Sequence, residues 1–387
     1  MKTQSLLHKP KRILVLSVSA GAGHGRAAEA LCQSANALHD CEAQQIDVMR
    51  LVSRIFRMIY VDWYLALVSR FPLVWGALYG FMQRADSQSP LQKLRRFVER
   101  LGTRELRAEI DRYQPDAIIC THFMPAELLA NLIAQGELHF PVYVQVTDFD
   151  LHPMWVHAGM AGYFAANDEV AFRMRAQQIA AQTIQVTGIP VMQAFSPEIS
   201  SASARTDCAQ SLGLDPHRTT LLLMGGGAGL GNLQQIAARL LKMERDFQLI
   251  VMAGKNPQLL ADLQKLALAY PGRLLAQSFT HQVERIMACA DLVITKPGGL
   301  TTSECLAMGL PMIINSPIPG QEERNADYLL EQGVALKACD ADTLDYRIHY
   351  LLDHPEKLAL MKECALAIGK PSAANAVITH IHQHLCS

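Results

Sequence analysis

No run of about 18 uncharged apolar residues occurs in the 387-residue sequence, which removes the means of crossing a bilayer as a helix and leaves peripheral attachment as the expected kind. No secretory leader is expected either. Met-Lys-Thr-Gln-Ser and the basic group Lys9-Pro10-Lys11-Arg12 precede a short apolar stretch that ends in glycines, with no cleavage site. Charge is close to balanced. A formal net charge of -1 supplies no overall field for phosphates of nucleic acid, so no nucleic-acid partner is expected. The nine cysteines are scattered and form no C-x-x-C pair. Reduced thiols in a cytoplasmic protein, with neither a disulfide framework nor a structural metal, are therefore expected.

What is present is apolar material for two cores, half of all residues being hydrophobic. Residues 13–18 (Ile-Leu-Val-Leu-Ser-Val) run into Ser19-Ala20-Gly21-Ala22-Gly23-His24-Gly25 and then into the helical pattern from Arg26, the order strand, glycine loop, helix. Apolar runs of strand length recur at 116–120, 141–146, 162–166 and 183–187, separated by segments that suit helices, which indicates a parallel sheet covered on both faces. From Ser196 the chain turns polar and proline-marked, as a linker does. A second start follows: residues 219–224, the loop Gly225 to Gly231, and a helix over about 232–243, with further strands at 248–252, 273–277, 291–295 and 311–314. The expectation is an α/β protein of two Rossmann-like domains, 1–197 and 205–369. Residues 370–387 form a last helix that packs back on the first domain.

Three loops carry the candidate chemistry. His24 stands in a glycine turn at the carboxyl end of the first strand, where open α/β sheets bind ligands. Its near-neutral pKa suits a general base or a group that orients an acceptor, although a tight turn alone explains part of the glycine content. A dinucleotide oxidoreductase competes here, with Asp47 at the place of a ribose-binding acid, but the loop reads G-x-G-x-G and lacks the third spaced glycine. The second loop, from Gly225, offers backbone N–H groups beside a helix start, suitable for a diphosphate or simply for a turn. The third, Thr295-Lys-Pro-Gly298-Gly299-Leu-Thr301-Thr302-Ser-Glu304, can open a phosphate loop at its glycines and add hydroxyl donors. Glu304 can accept two ribose hydroxyls or merely complement a helix start.

With Thr121-His122-Phe123-Met124-Pro125, Val146-Thr147-Asp148-Phe149, His152, Trp155, Thr187-Gly188-Ile189-Pro190-Val191 and Pro317-Ile-Pro-Gly-Gln-Glu, these blocks cover about residues 13 to 335. Together they resemble the glycosyltransferase family of monogalactosyldiacylglycerol synthases and bacterial processive diacylglycerol glucosyltransferases, and more distantly the peptidoglycan N-acetylglucosaminyltransferase MurG. The resemblance implies a GT-B fold whose two Rossmann-like domains face a cleft. It also implies a UDP-sugar donor held by the C-terminal domain, inversion at the anomeric carbon, and no cofactor or obligatory metal. His24 falls at the family's essential histidine. Glu304 is assigned to the ribose, Gly225, Gly226, Thr301 and Thr302 to the diphosphate, and Gln321 and Glu322 to sugar or phosphate. Cys305 departs from the usual alanine or isoleucine, and the first loop is not an all-glycine run. Asp148, after an apolar strand, suits orienting His24 or an acceptor hydroxyl, or capping the following turn.

Residues 50–84 hold two of the three tryptophans and a fringe of arginines, among them Arg54, Arg57, Trp63, Tyr64, Arg70 and Trp75. Over 50–112 there are twelve Lys/Arg against six Asp/Glu. Such a window suits a peripheral contact with an anionic membrane surface on the cytoplasmic face, with a lipid acceptor nearby, or an ordinary core helix pair with snorkelling arginines. Helix N-termini after Gly231 and Gly299 are placed to neutralise a departing UDP. A UDP-sugar epimerase and a non-catalytic, membrane-associated nucleotide-sugar-binding protein are the alternatives.

Overall fold

In the computed structural model, residues 9–19, 21–52, 104–200, 202–225 and 232–386 are described. The chain divides into two compact units, Met1–Met192 with Ser372–Ser387, and Gln193–Pro371. The polar segment at Ser196 thus belongs to the second unit.

The first unit contains β1 (Lys11–Ser17), α1 (Gly23–Asn36), β2 (Cys41–Asp47), β3 (Ala117–Cys120), α2 (Phe123–Ala134), β4 (Val142–Gln145), β5 (Gly162–Ala165), α3 (Asp168–Ala176) and β6 (Ile184–Val186). The strands pair in parallel in the order β2-β1-β3-β4-β5-β6. Alternation along β1 fills two cores: Leu14, Leu16 and Val18 join one apolar cluster, and Ile13 and Val15 join another on the opposite face. That second cluster is closed by Ala28, Leu31 and Ala35 of α1 and by Ala374, Val377, Ile378 and Ile381 near the chain's end. Both faces being covered, β1 reads as an unbroken apolar run.

The second unit contains α4 (Ala202–Ser211), β7 (Thr220–Met224), α5 (Leu233–Leu241), β8 (Gln248–Gly254), α6 (Pro257–Ala269), β9 (Leu274–Ser278), α7 (Val283–Ala288), β10 (Leu292–Thr295), α8 (Gly299–Ala307), β11 (Met312–Asn315), α9 (Gln321–Glu331), β12 (Ala335–Ala338), α10 (Ala341–Asp353) and α11 (Pro355–Ile368). Its parallel sheet runs β12-β11-β10-β7-β8-β9. The final helix α12 (Ala373–Cys386) returns to the first unit and packs on α1.

In each sheet the first strand sits inside and the chain winds outward in both directions from it. The strand order therefore reverses between β1 and β3, and again between β7 and β10. Ligands of open α/β sheets bind beyond the carboxyl ends of the strands at such reversals.

Two strands escape the pattern of apolar runs, β2 and β12. Both are sheet edges, and β2 (Cys-Glu-Ala-Gln-Gln-Ile-Asp) keeps most of its residues at least partly accessible. An edge strand with one polar side has no need of a continuous apolar sequence.

Candidate active site

The carboxyl ends of β1, β3 and β4 converge on one imidazole. His24 lies in the first turn of α1, just beyond the loop that follows β1. Its Nδ1 is 3.0 Å from the main-chain oxygen of Thr121, after β3, and 2.8 Å from the hydroxyl oxygen of Thr147, after β4. Thr121 also donates its hydroxyl to the carbonyl of His24 at 3.0 Å. A carbonyl oxygen can only accept, so Nδ1 carries the ring proton and Nε2 keeps a lone pair.

Aromatic groups pack around this ring. The centroid of His122 is 4.6 Å away at near right angles, and that of Trp155 is 6.5 Å away. His122 begins α2, its Nδ1 accepting the Met124 N–H at 3.0 Å. Burial lowers the pKa of His24 to about 4, opposed by its bond to the Thr121 backbone. Burial also pushes His122 well below the usual histidine value, helped by the neighbouring His24. His24 is therefore uncharged at neutral pH, the state a base requires.

Asp47 accepts the N–H of Ser19 at 3.2 Å and that of Met49 at 3.0 Å. Both bonds fall on Oδ1, so the carboxylate braces the start of the glycine loop. Within that loop Gly21 has φ +94°, a conformation that favours glycine. Asp148 is buried beside Thr147. At His24 Nδ1 the orienting groups are the two threonines, and neither stands out in the sequence as a chemical group.

In the second unit the site residues gather after β7 and β10, which are neighbours in the sheet. Gly225 follows β7 directly. Gly298 is the N-cap of α8, and a Cβ added there would meet nothing within 4 Å. Packing among the described residues thus does not demand glycine at that position, and the space in front of its backbone is open. Gly299 and Thr301 open the helix and are partly accessible, whereas Thr302 is fully buried and its hydroxyl has no partner among the described residues. Glu304 is the sixth residue of α8, in its second turn rather than its first, and is 7% exposed. A carboxylate there is past the positive end of the helix, so complementing the dipole does not account for it.

The loop before α9 completes this group. Gly320 at its N-cap has φ +99°. Glu322 accepts the N–H of Ile318 at 2.7 Å, and Glu323 that of Gly320 at 3.2 Å. Burial raises the pKa of Glu322, opposed by the Ile318 N–H and by nearby Lys296. Asn325, buried, donates to the Pro297 carbonyl at 3.0 Å and so fastens α9 to the Gly298 loop. This holds the partly accessible Gln321 and Glu322 beside the phosphate-loop candidate. Lys296 and Asn325 are not evident from the sequence, because their partners are reached only through the fold. Gly226 lies outside the described residues, as do Arg54, Arg57, Trp63, Tyr64, Arg70 and Trp75.

Residues 24–191 match the family model of monogalactosyldiacylglycerol (MGDG) synthase, and residues 220–377 that of the glycosyltransferase family 28 C-terminal domain. The chain is 27% identical over 376 residues to the processive diacylglycerol beta-glucosyltransferase of Bacillus licheniformis, covering 96% of this chain and 94% of that protein. It is 28% identical over 377 residues to the Bacillus pumilus protein of the same name, with the same coverage. Among solved structures, MurG of Acinetobacter baumannii aligns with a TM-score of 0.58 at 15% identity, over 97% of this chain and 100% of that one. The UDP-GlcNAc 2-epimerase of Neisseria meningitidis, bound to UDP-GlcNAc, gives 0.59 at 12%, over 96% and 100%. At such identities these structures speak for the fold alone, a GT-B pair of Rossmann-like domains common to glycosyltransferases and epimerases.

Proposed function

We propose, from the premise that this chain belongs to the glycosyltransferase family of monogalactosyldiacylglycerol synthases and processive diacylglycerol glucosyltransferases, that it moves a hexose from a UDP-sugar to the hydroxyl of diacylglycerol. The observation that carries the reading is the imidazole of His24, held by Thr121 and Thr147 with its Nε2 lone pair available. In this reading Nε2 takes the proton of the acceptor hydroxyl as its oxygen attacks the anomeric carbon, and the bond to the diphosphate breaks on the opposite face with inversion. Asp148 orients the acceptor hydroxyl.

Charge developing on the departing UDP is met by main-chain N–H groups at Gly225 and at the start of α8, with Thr301 adding a hydroxyl. The burial of Thr302 makes it a support for this loop more than a ligand contact. Glu304 accepts the ribose hydroxyls, and Gln321 and Glu322 contact the sugar or β-phosphate. No metal is needed at the reaction centre, since helix starts supply the positive potential.

The acceptor is a membrane lipid, and no helix among the described residues is long and apolar enough to cross a bilayer. The basic, tryptophan-bearing window of residues 50–112 is accordingly assigned to peripheral contact with the anionic cytoplasmic face.

The test is incubation of the purified protein with radiolabelled UDP-sugars and lipid vesicles, products being resolved by chromatography. A labelled glycolipid that depends on diacylglycerol is expected. Conversion of one UDP-sugar to another without acceptor would instead identify an epimerase, and UDP binding with no product from any lipid a binding protein.

A further inference from the structure

Three potential metal ligands, Asp40, Cys41 and His382, meet at the opposite end of the first sheet from His24, and Cys386 lies beside the last of them. Asp40 and Cys41 lead into β2 at its amino end, whereas His24 is met by residues beyond the carboxyl ends of neighbouring parallel strands. The other two come from the last turns of α12, where His382 and Cys386 are four residues apart and share one side of the helix. His382 Nε2 lies 2.8 Å from a carboxylate oxygen of Asp40 and 3.8 Å from Cys386 Sγ. Ligand atoms of Asp40, Cys41 and His382 all fall within 4.8 Å of one another.

A partly exposed carboxylate–imidazole pair alone is a common and weak surface feature. It does not explain the sulfurs of Cys41 and Cys386 beside the same imidazole. Donor atoms at about 2.0–2.3 Å from a tetrahedral zinc are about 3.3–3.8 Å apart, and the 3.8 Å between His382 Nε2 and Cys386 Sγ meets the upper end of that range. Two thiolates, an imidazole and a carboxylate form a closed set of the kind that structural zinc takes, with no position left for substrate.

We propose that Asp40, Cys41, His382 and Cys386 bind a zinc ion that clips the returning helix α12 to the amino end of β2. The clip has something to hold. Val377, Ile378 and Ile381 of that helix close one face of the first sheet, yet the helix rejoins this unit only after the whole of the second unit has intervened in the chain. A bond at its far end makes that long-range closure less dependent on apolar packing alone. Because zinc binds only the assembled ligands, it stabilises the folded chain by linkage.

The full-length protein, purified under reducing conditions, is titrated with zinc chloride and followed by native mass spectrometry and thermal melting. A single bound zinc and a rise in Tm are expected. Cobalt substitution is expected to give the intense visible bands of a tetrahedral thiolate site. Cys386→Ser and His382→Gln are expected to weaken zinc binding by more than about tenfold and to remove the Tm shift. Cys386 is exposed, so its variant folds, and its melting curve without zinc serves as the control. The proposal is overturned by zinc affinity that these variants leave unchanged, by absence of zinc binding to the wild type, or by a Cys41–Cys386 disulfide in the protein as isolated.

Discussion

The hydroxyl oxygen of Thr147 lies 2.8 Å from Nδ1 of His24, although the two residues are 123 positions apart in the chain. With the Thr121 carbonyl on the same nitrogen, it fixes the tautomer that presents Nε2 as a base.

Replacing His24 with Ala removes that base. Turnover is expected to fall by about 10²–10⁴-fold, while UDP affinity, measured by calorimetry, stays within error because the proposed donor groups belong to the other unit. Near-normal turnover would overturn the assignment.

Thr147→Val keeps the shape and loses the hydroxyl. A fall in kcat of about tenfold is expected for the loss of roughly one hydrogen bond's free energy, with KM for the donor unchanged and Thr147→Ser restoring the rate. A purely structural role would lower Tm without separating kcat from KM.

The pH profile follows from burial of His24. Unprotonated imidazole is the working form in the proposed mechanism, and burial lowers its pKa from 6.5 to about 4. The logarithm of kcat/KM is therefore expected to remain flat as pH falls through 6.5 and to decline only near pH 4. An acid limb centred at the ordinary histidine value argues against this residue as the base.

Glu304→Gln is expected to weaken UDP binding by about 10–100-fold, the loss of charged hydrogen bonds to two hydroxyls being about 1.5–3 kcal/mol. At saturating donor kcat changes little, which separates this variant from His24→Ala. Unaltered UDP affinity leaves the carboxylate without its proposed ligand.

Gly369→Ala tests how α8 is seated. A Cβ there would lie 2.3 Å from the carbonyl oxygen of Leu306, two residues beyond Glu304. Backbone cannot yield as a side chain does, so a loss of about 1–3 kcal/mol is expected, read by chemical denaturation, with weaker donor binding. An unchanged midpoint would show that this contact relaxes freely.

The central strands are legible in the amino-acid order alone, because a strand buried on both faces must be apolar throughout. β1, β3 to β5, β7, β8, β10 and β11 all declare themselves in this way. The edge strands β2 and β12 do not, since one side of each is free to be polar. His24 is legible as an unusual residue in a glycine turn. Thr121 and Thr147 are not, for a threonine after a strand is unremarkable until the sheet places it against an imidazole. The bracing of the first glycine loop by Asp47 is likewise invisible in the sequence, since Ser19 and Met49 reach that carboxylate only through the fold.

Local composition by itself determined two doubly wound domains, the glycine turns and the residue types available to the chemistry. Periodicity and turn preference act over a few residues, and that information travels in the chain. Only the tertiary structure decided which groups meet: the tautomer of His24, the depth of Glu304 in its helix, the clasp of Asn325 on Pro297, and the meeting of Asp40 and Cys41 with His382 and Cys386. Those contacts depend on strand order and on the return of α12, which no local pattern encodes.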